Sequence, residues 1–235
     1  MVATSKTKLP RVDWTRLLKT LGVSITCFGV VLGGAYAEVA LRPRPIPVPS
    51  QPIKSAVGIQ PLSQAQMETI LANVARSLDE PLRQRLADAI LTESTKAGFD
   101  PLFILALVAV ESRFRAQVSS ERGASGLMQL TPSTFAWIAG REPDIGGEDA
   151  AVSEDPVLDV RLAIRYFRWL EHRFHSRDDA LMAYNAGPAR LVQYKKAGEV
   201  PDSLREYPRR VLKEYQRFVR VARRKLPEGT LALAN

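Results

Sequence analysis

"DPLFILALVAVESRF" (residues 100–114) decides the fold. It opens with aspartate and proline, a helix N-cap followed by the residue that suits the first helical position. An unbroken apolar run fills 101–110. Positions 104, 107, 108 and 111 fall at i, i+3, i+4 and i+7, so they share one helix face. Three of them are Ile104, Leu107 and Val108; the fourth is Glu111. A carboxylate on an apolar stripe is poorly solvated, so it holds its proton to higher pH, as a general acid working near neutrality must. The plainer reading is that the helix stops at Glu111 and the side chain reaches water. The segment alone leaves both open.

Outward from this stretch the punctuation stays helical. Ser63 caps a predicted helix over 64–78, and Pro81 starts another that Gly98 ends. Thr131-Pro132 caps a short helix to Ala139, Asp155-Pro156 starts a long one to Phe174, and Ser176 or Asp178 starts "DALMAYNAG". Pro188 restarts the chain toward Gly198, and a last helix covers roughly 202–225. One start signal recurs: a capping residue followed by proline or an acid. No run of period-two alternation of convincing length appears. "SSERGASG" (119–126) is the turn-rich exception, a loop or short hairpin directly after Glu111. The fold class is mainly α.

The first 61 residues read differently. Residues 20–37 carry no charge and follow five basic residues. With Ala35-Tyr36-Ala37 as an A-x-A-like site, they fit a signal peptide cleaved after Ala37. They are also just long enough to span a bilayer as a retained anchor. Both remain open, so residues 1–41 are signal or anchor. "SITC" lacks the lipoprotein pattern before Cys27, so lipidation is not expected. Residues 42–61 follow as a proline-rich linker that opens "RPRPIPVPSQP", a composition that favours extended polyproline geometry. Residues 62–225 form the folded domain and 226–235 a C-terminal tail. The location expected is exported, periplasmic or envelope-bound, with possible membrane association through 20–37.

The chain has 235 residues and a formal net charge of +8. Seven basic and two acidic side chains within 1–44 account for +5 of it. The basic balance therefore belongs largely to the N-terminal segment, and a nucleic-acid partner is not indicated. Residues 205–225 are a second basic concentration, read as a solvated helix face or as attraction to an anionic polymer or lipid surface. A single cysteine excludes an intramolecular disulfide. His172 and His175 lack a third ligand type in pattern, so neither a metal nor another cofactor is called for.

Four strings carry the chemistry: "ESRF" (111–114), "GASGLMQLTPSTF" (123–135), "LMAYNAGP" (181–188) and "REY" (205–207). Each alone has a structural explanation: a turn at Gly123 and Gly126, core residues at Leu127, Met128 and Leu130, a buried Tyr184, a helix stop at 185–188. Together, in this order and spacing over about 83–220, they resemble the catalytic domain of the soluble-transglycosylase (SLT) type of lytic transglycosylase, related to goose-type lysozyme. The resemblance implies a lysozyme-like single domain acting on peptidoglycan glycan strands. It implies that Glu111 is the catalytic acid and that Ser112 borders the cleft. It places Gly126, Met128 and Gln129 on the loop lining the sugar groove, Tyr184 and Asn185 opposite the acid, and Arg205 and Tyr207 in a distal R-x-Y. Ser203, where the family has glutamate, and Pro208, where it favours a β-branched residue, depart from that last motif.

Glycoside cleavage commonly takes two carboxylates. Only Glu111 lies in a motif here; Glu121, Asp100, Asp144 and Asp155 read as caps or loop residues. The reaction the resemblance implies is non-hydrolytic cleavage between N-acetylmuramic acid and N-acetylglucosamine, leaving a 1,6-anhydro end, with Glu111 as acid and then base. The alternatives are a muramidase that uses water and a silent wall-binding module.

Overall fold

The structure is a computed structural model that describes residues 62–142, 144–145 and 155–225. The expected export segment, the proline-rich linker and the C-terminal tail lie outside the described residues. Eight helices make up the described fold: α1 (Gln64–Val74), α2 (Glu80–Ala97), α3 (Pro101–Glu111), α4 (Pro132–Ala139), α5 (Pro156–Phe174), α6 (Arg177–Ala186), α7 (Pro188–Ala197) and α8 (Asp202–Lys225).

The caps explain the starts. Ser63 and Gln66 form a reciprocal capping box before α1. Asp79, Asp100, Thr131, Asp155 and Ser176 each accept a backbone N–H of the first turn they precede. α1 ends at Val74, four residues before the predicted end at 78, and α2 starts at Glu80 behind Asp79. Leu78 is buried where the chain turns between them.

α3 is the axis of the fold. Every residue from 102 to 109 is buried, so the helix is enclosed all round and not only along the stripe of Ile104, Leu107 and Val108. Each leucine so buried contributes about 1.5–3 kcal/mol. α8 runs along it in the opposite direction: Tyr207 near its start meets Glu111, while Tyr215 two turns on donates to Asp100 Oδ2 at 2.5 Å. The apolar face of α8 (Leu204, Tyr207, Val211, Phe218, Ala222) is buried, and much of its basic sequence lies on the exposed side. Pro208 sits inside α8 without ending it. Its ring removes only the N–H that would bond the carbonyl of residue 204, close to the helix start.

α5 packs against α2 and α6. Phe99 and Phe103 each meet Phe167 of α5 with ring centroids 5.4 Å apart. An ionic knot centred on the buried Glu93 ties the segment after α4 to this layer. Arg165 Nε donates to Glu93 Oε2 at 2.9 Å, while its Nη atoms reach Asp144 at 2.8 and 3.0 Å and also Glu142. Burial works against the Glu93 charge, but the hydrogen bond and charge of Arg165, with Lys96 and Arg161, hold its pKa below the usual range.

Candidate functional site

α3 ends at Glu111 because the chain turns back on itself there. Ser112 caps it, and Arg113 and Phe114 both adopt left-handed backbone (φ 54° and 60°). That conformation is unusual for bulky residues and persists only where packing enforces it. Phe114 is buried, its ring meets Phe218 edge-on at 6.2 Å, and its carbonyl accepts from Ser77 Oγ at 2.9 Å. The reversal leaves the Glu111 carboxylate half-buried at the helix end, where the Tyr207 hydroxyl donates to Oε1. Burial pushes the Glu111 pKa up to about 7, against the pull of the Tyr207 hydrogen bond and the Arg210 charge; the Asp159 carboxylate adds to the rise. The plainer reading of Glu111, a side chain simply in water, does not describe it.

The loop after α3 carries only isolated bridges, Ser119 with Ser125 and Ser125 with Leu130. It is braced by side chains. Gln129, itself left-handed at φ 51°, donates its amide to the carbonyls of Val118 and Gly126 at 2.9 and 3.0 Å. The Met128 N–H donates to Asp159 Oδ2 at 2.8 Å, and the Met128 carbonyl accepts the Tyr184 hydroxyl at 2.9 Å. Gly126 has φ +81°, and a Cβ there would lie 2.6 Å from Asp159 Oδ2. Glycine is needed at 126 for both reasons.

The structure thus brings Glu111, Tyr207, Met128, Gln129, Gly126 and Tyr184 into one network, with some contacts differing from the expectation. The tyrosine on the Glu111 carboxylate is Tyr207; the Tyr184 hydroxyl is engaged by the loop carbonyl. The Gln129 amide nitrogen is engaged within its own loop, and the Met128 side chain is fully buried. Ser112 is buried as well, its hydroxyl donating back to the Val108 carbonyl at 3.2 Å, so it secures the helix end and does not line a surface. Asn185 is exposed at the end of α6. Arg205 is exposed and pairs with Asp202 at 3.5 Å, away from Glu111; of the R-x-Y string only the tyrosine reaches it. Burial keeps Tyr184 and Tyr207 protonated well above the usual range, reinforced by the Glu111 charge, so both remain donors.

Asp159 is the site residue the sequence reading missed. It is buried in the first turn of α5, and burial raises its pKa to about 7 while the amides of Met128 and Leu127 pull it back. The signal was present: Asp159, Ala163, Tyr166 and Leu170 fall on one face of α5, and all are buried. This is an acid on an apolar stripe, the same pattern that singled out Glu111.

Among the described residues, a helical fold enclosing a helix that ends in a protonatable glutamate, faced by a braced loop, the buried Tyr207 and the half-buried Tyr184, is the arrangement of a lysozyme-like domain. Residues 88–203 match the model of the transglycosylase SLT domain. Tyr207 lies just beyond the matched residues. The chain is 28% identical to the soluble lytic murein transglycosylase of Salmonella typhimurium over 130 residues, 52% of this chain and 20% of that protein. It is 30% identical to that of Escherichia coli K12 over 90 residues, 38% and 14%. It therefore spans a fifth or less of the length of these curated relatives. Among solved structures, it resembles an inactive mutant of lytic transglycosylase Slt from Pseudomonas aeruginosa, with a TM-score of 0.50 and 24% identity over 63% of this chain and 26% of that one. It also resembles a 70-kDa soluble lytic transglycosylase in complex with bulgecin A, with a TM-score of 0.51 and 23% identity over 72% and 32%. These likenesses bear on the fold.

Proposed function

We propose that this chain is a peptidoglycan lytic transglycosylase that cleaves the β-1,4 bond between N-acetylmuramic acid and N-acetylglucosamine without water. The observation that carries the reading is the Glu111 carboxylate, half-buried at the end of α3 with its pKa raised to about 7. Protonated, Glu111 gives its proton to the glycosidic oxygen as the bond to C1 breaks. The acetamido oxygen of the same sugar supports the cation developing at C1. The Glu111 carboxylate then takes the proton of the 6-hydroxyl, whose oxygen closes onto C1 to give the 1,6-anhydro ring. The acid is restored and no water is consumed. A group that must donate and later accept a proton works best with a pKa near the working pH.

Within this reading Tyr207 orients the carboxylate, and Gly126, Met128, Gln129 and Tyr184 build the loop edge against which the sugar lies. Asn185, exposed at the end of α6, flanks it. Hydrolysis as in a lysozyme is the second reading, and it asks for a further carboxylate to position water. Asp159 is close enough to act on Glu111 electrostatically, but the Met128 amide occupies its Oδ2. That favours the transglycosylase reading. A silent wall-binding module would not need the raised pKa at Glu111. The substrate places the domain in the cell envelope. Residues 1–41, as signal or anchor, fit that location; among the described residues no helix is long and apolar enough to cross a membrane. Mass analysis of muropeptides after digestion tests the proposal. Anhydro ends, lighter by one water than reducing ends, are expected; reducing ends alone would overturn it in favour of hydrolysis.

A further inference from the structure

A cavity of about 1090 Å³ lies apart from Glu111. It opens at the other end of α3, where Asp100 and Phe103 line it. Phe103 lies eight residues from Glu111, about 12 Å along the helix axis. The end of α5, the start of α6 and one face of α8 complete the wall.

What sets this cavity apart is a group of buried polar atoms without hydrogen-bond partners. Arg168 is 6% exposed and lines the cavity, yet its Nε and Nη1 have no acceptor. Glu171 Oε2 and His172 Nε2 are likewise unmet. Arg168 Nη1 and Glu171 Oε2 stand 3.8 Å apart, an ion pair too long for a hydrogen bond. The other Glu171 oxygen is engaged by Arg177 Nε at 2.7 Å. Unmet buried donors and acceptors are rare in folded proteins and point to a missing partner.

We propose that this cavity binds a short peptide carrying a free carboxylate. The inference rests on the function proposed above for its natural source, the peptide stems of the wall glycan. The Arg168 fork suits a planar carboxylate. The neighbouring Glu171 Oε2 needs a donor, which a peptide N–H supplies. Four arginines and four carboxylates line the cavity, so its charge is balanced. Balance favours a ligand that both donates and accepts over a phosphate or a polyanion. Leu181, Met182, Val211 and Tyr215 give an apolar wall for side chains, and Leu212, 55% exposed, stands at the rim. An extended tetrapeptide spans about 13–14 Å, comparable with the separation from Glu111 along α3.

The test is calorimetric titration of the full chain with a synthetic stem tetrapeptide and with the same peptide amidated at its carboxylates. Saturable one-to-one binding is expected, at least tenfold weaker for the amidated peptide and for Arg168→Gln. Leu212→Glu, at an exposed position that leaves the core intact, should weaken binding at least threefold. Both variants should cleave peptide-free glycan strands at the unsubstituted rate. No heat at millimolar peptide, equal affinity for the two peptides, or displacement by peptide-free glycan would overturn the proposal. If Arg168→Gln does not fold, the amidated peptide and Leu212→Glu decide. Glycan cleavage without peptide binding would refute this site alone; peptide binding without any glycan cleavage would refute the proposed function alone.

Discussion

Replacing Glu111 with glutamine should remove activity and add stability, the second only above a particular pH. In the unfolded chain this glutamate ionises near 4.5, and in the folded one near 7. Between those values the folded state binds more protons than the unfolded state. Its stability contribution is therefore complete below about pH 4.5, falls as pH rises, and is lost above about 7. The gap corresponds to about 3 kcal/mol, an upper figure for a half-buried group. Glutamine keeps the shape, can still accept from Tyr207, and never ionises. At pH 8 the Glu111→Gln protein should thus be more stable by about 1–3 kcal/mol, with a melting temperature higher by about 2–4 °C for each kcal/mol. At pH 4 the two proteins should melt together. Asp159 titrates in both, so its share largely cancels in the difference. Thermal melts from pH 4 to 9 measure the gap, and glycan digestion with each protein measures activity. Parallel stability curves, or a less stable variant at pH 8, would mean that Glu111 is solvated and has no reason to hold its proton.

Three further substitutions probe the brace around it. Gly126→Ala places a methyl group against Asp159 at a left-handed position; it should lose about 1–3 kcal/mol and most activity, checked by urea melts and turnover. Tyr184→Phe leaves the ring but frees the Met128 carbonyl, at about 1 kcal/mol; the disturbed loop should raise KM and lower kcat, measured on purified glycan strands. Asp159→Asn keeps an acceptor for the Met128 amide yet removes the charge that raises the Glu111 pKa. The alkaline limb of its rate profile should move to lower pH, and an unmoved limb would remove Asp159 from the electrostatics of the site.

Helix starts were legible because they are local. Asp100-Pro101, Thr131-Pro132 and Asp155-Pro156 each combine an acceptor for a free amide with a residue that has no amide to satisfy, and all three cap as read. The reversal after Glu111 was legible only as a boundary, because two left-handed residues that are not glycine leave no mark in composition. The choice between Tyr184 and Tyr207 for the Glu111 contact is tertiary. It depends on α8 running back along α3, which residue spacing does not encode. Asp159 was hidden for a different reason. An acid in the first turn of a helix already has a local explanation in the helix dipole, and its actual partner lies 31 residues earlier in the chain.

The placement of Glu111 turns on how opposing effects nearly cancel. Burial raises its pKa, and the Asp159 charge acts the same way. The C-terminal end of α3, where backbone carbonyls are unsatisfied, also disfavours negative charge. These effects alone would make a group that holds its proton too tightly to give it up. Tyr207 and Arg210 oppose them by stabilising the carboxylate. On the proposed mechanism the same atoms first lose a proton and then recover one from a sugar hydroxyl, so neither form can be strongly favoured. That requirement explains why the residue facing Glu111 is a buried tyrosine. A lysine there would carry a full charge that pins the carboxylate in its ionised form. A phenylalanine would leave the carboxylate formed by proton donation without a donor.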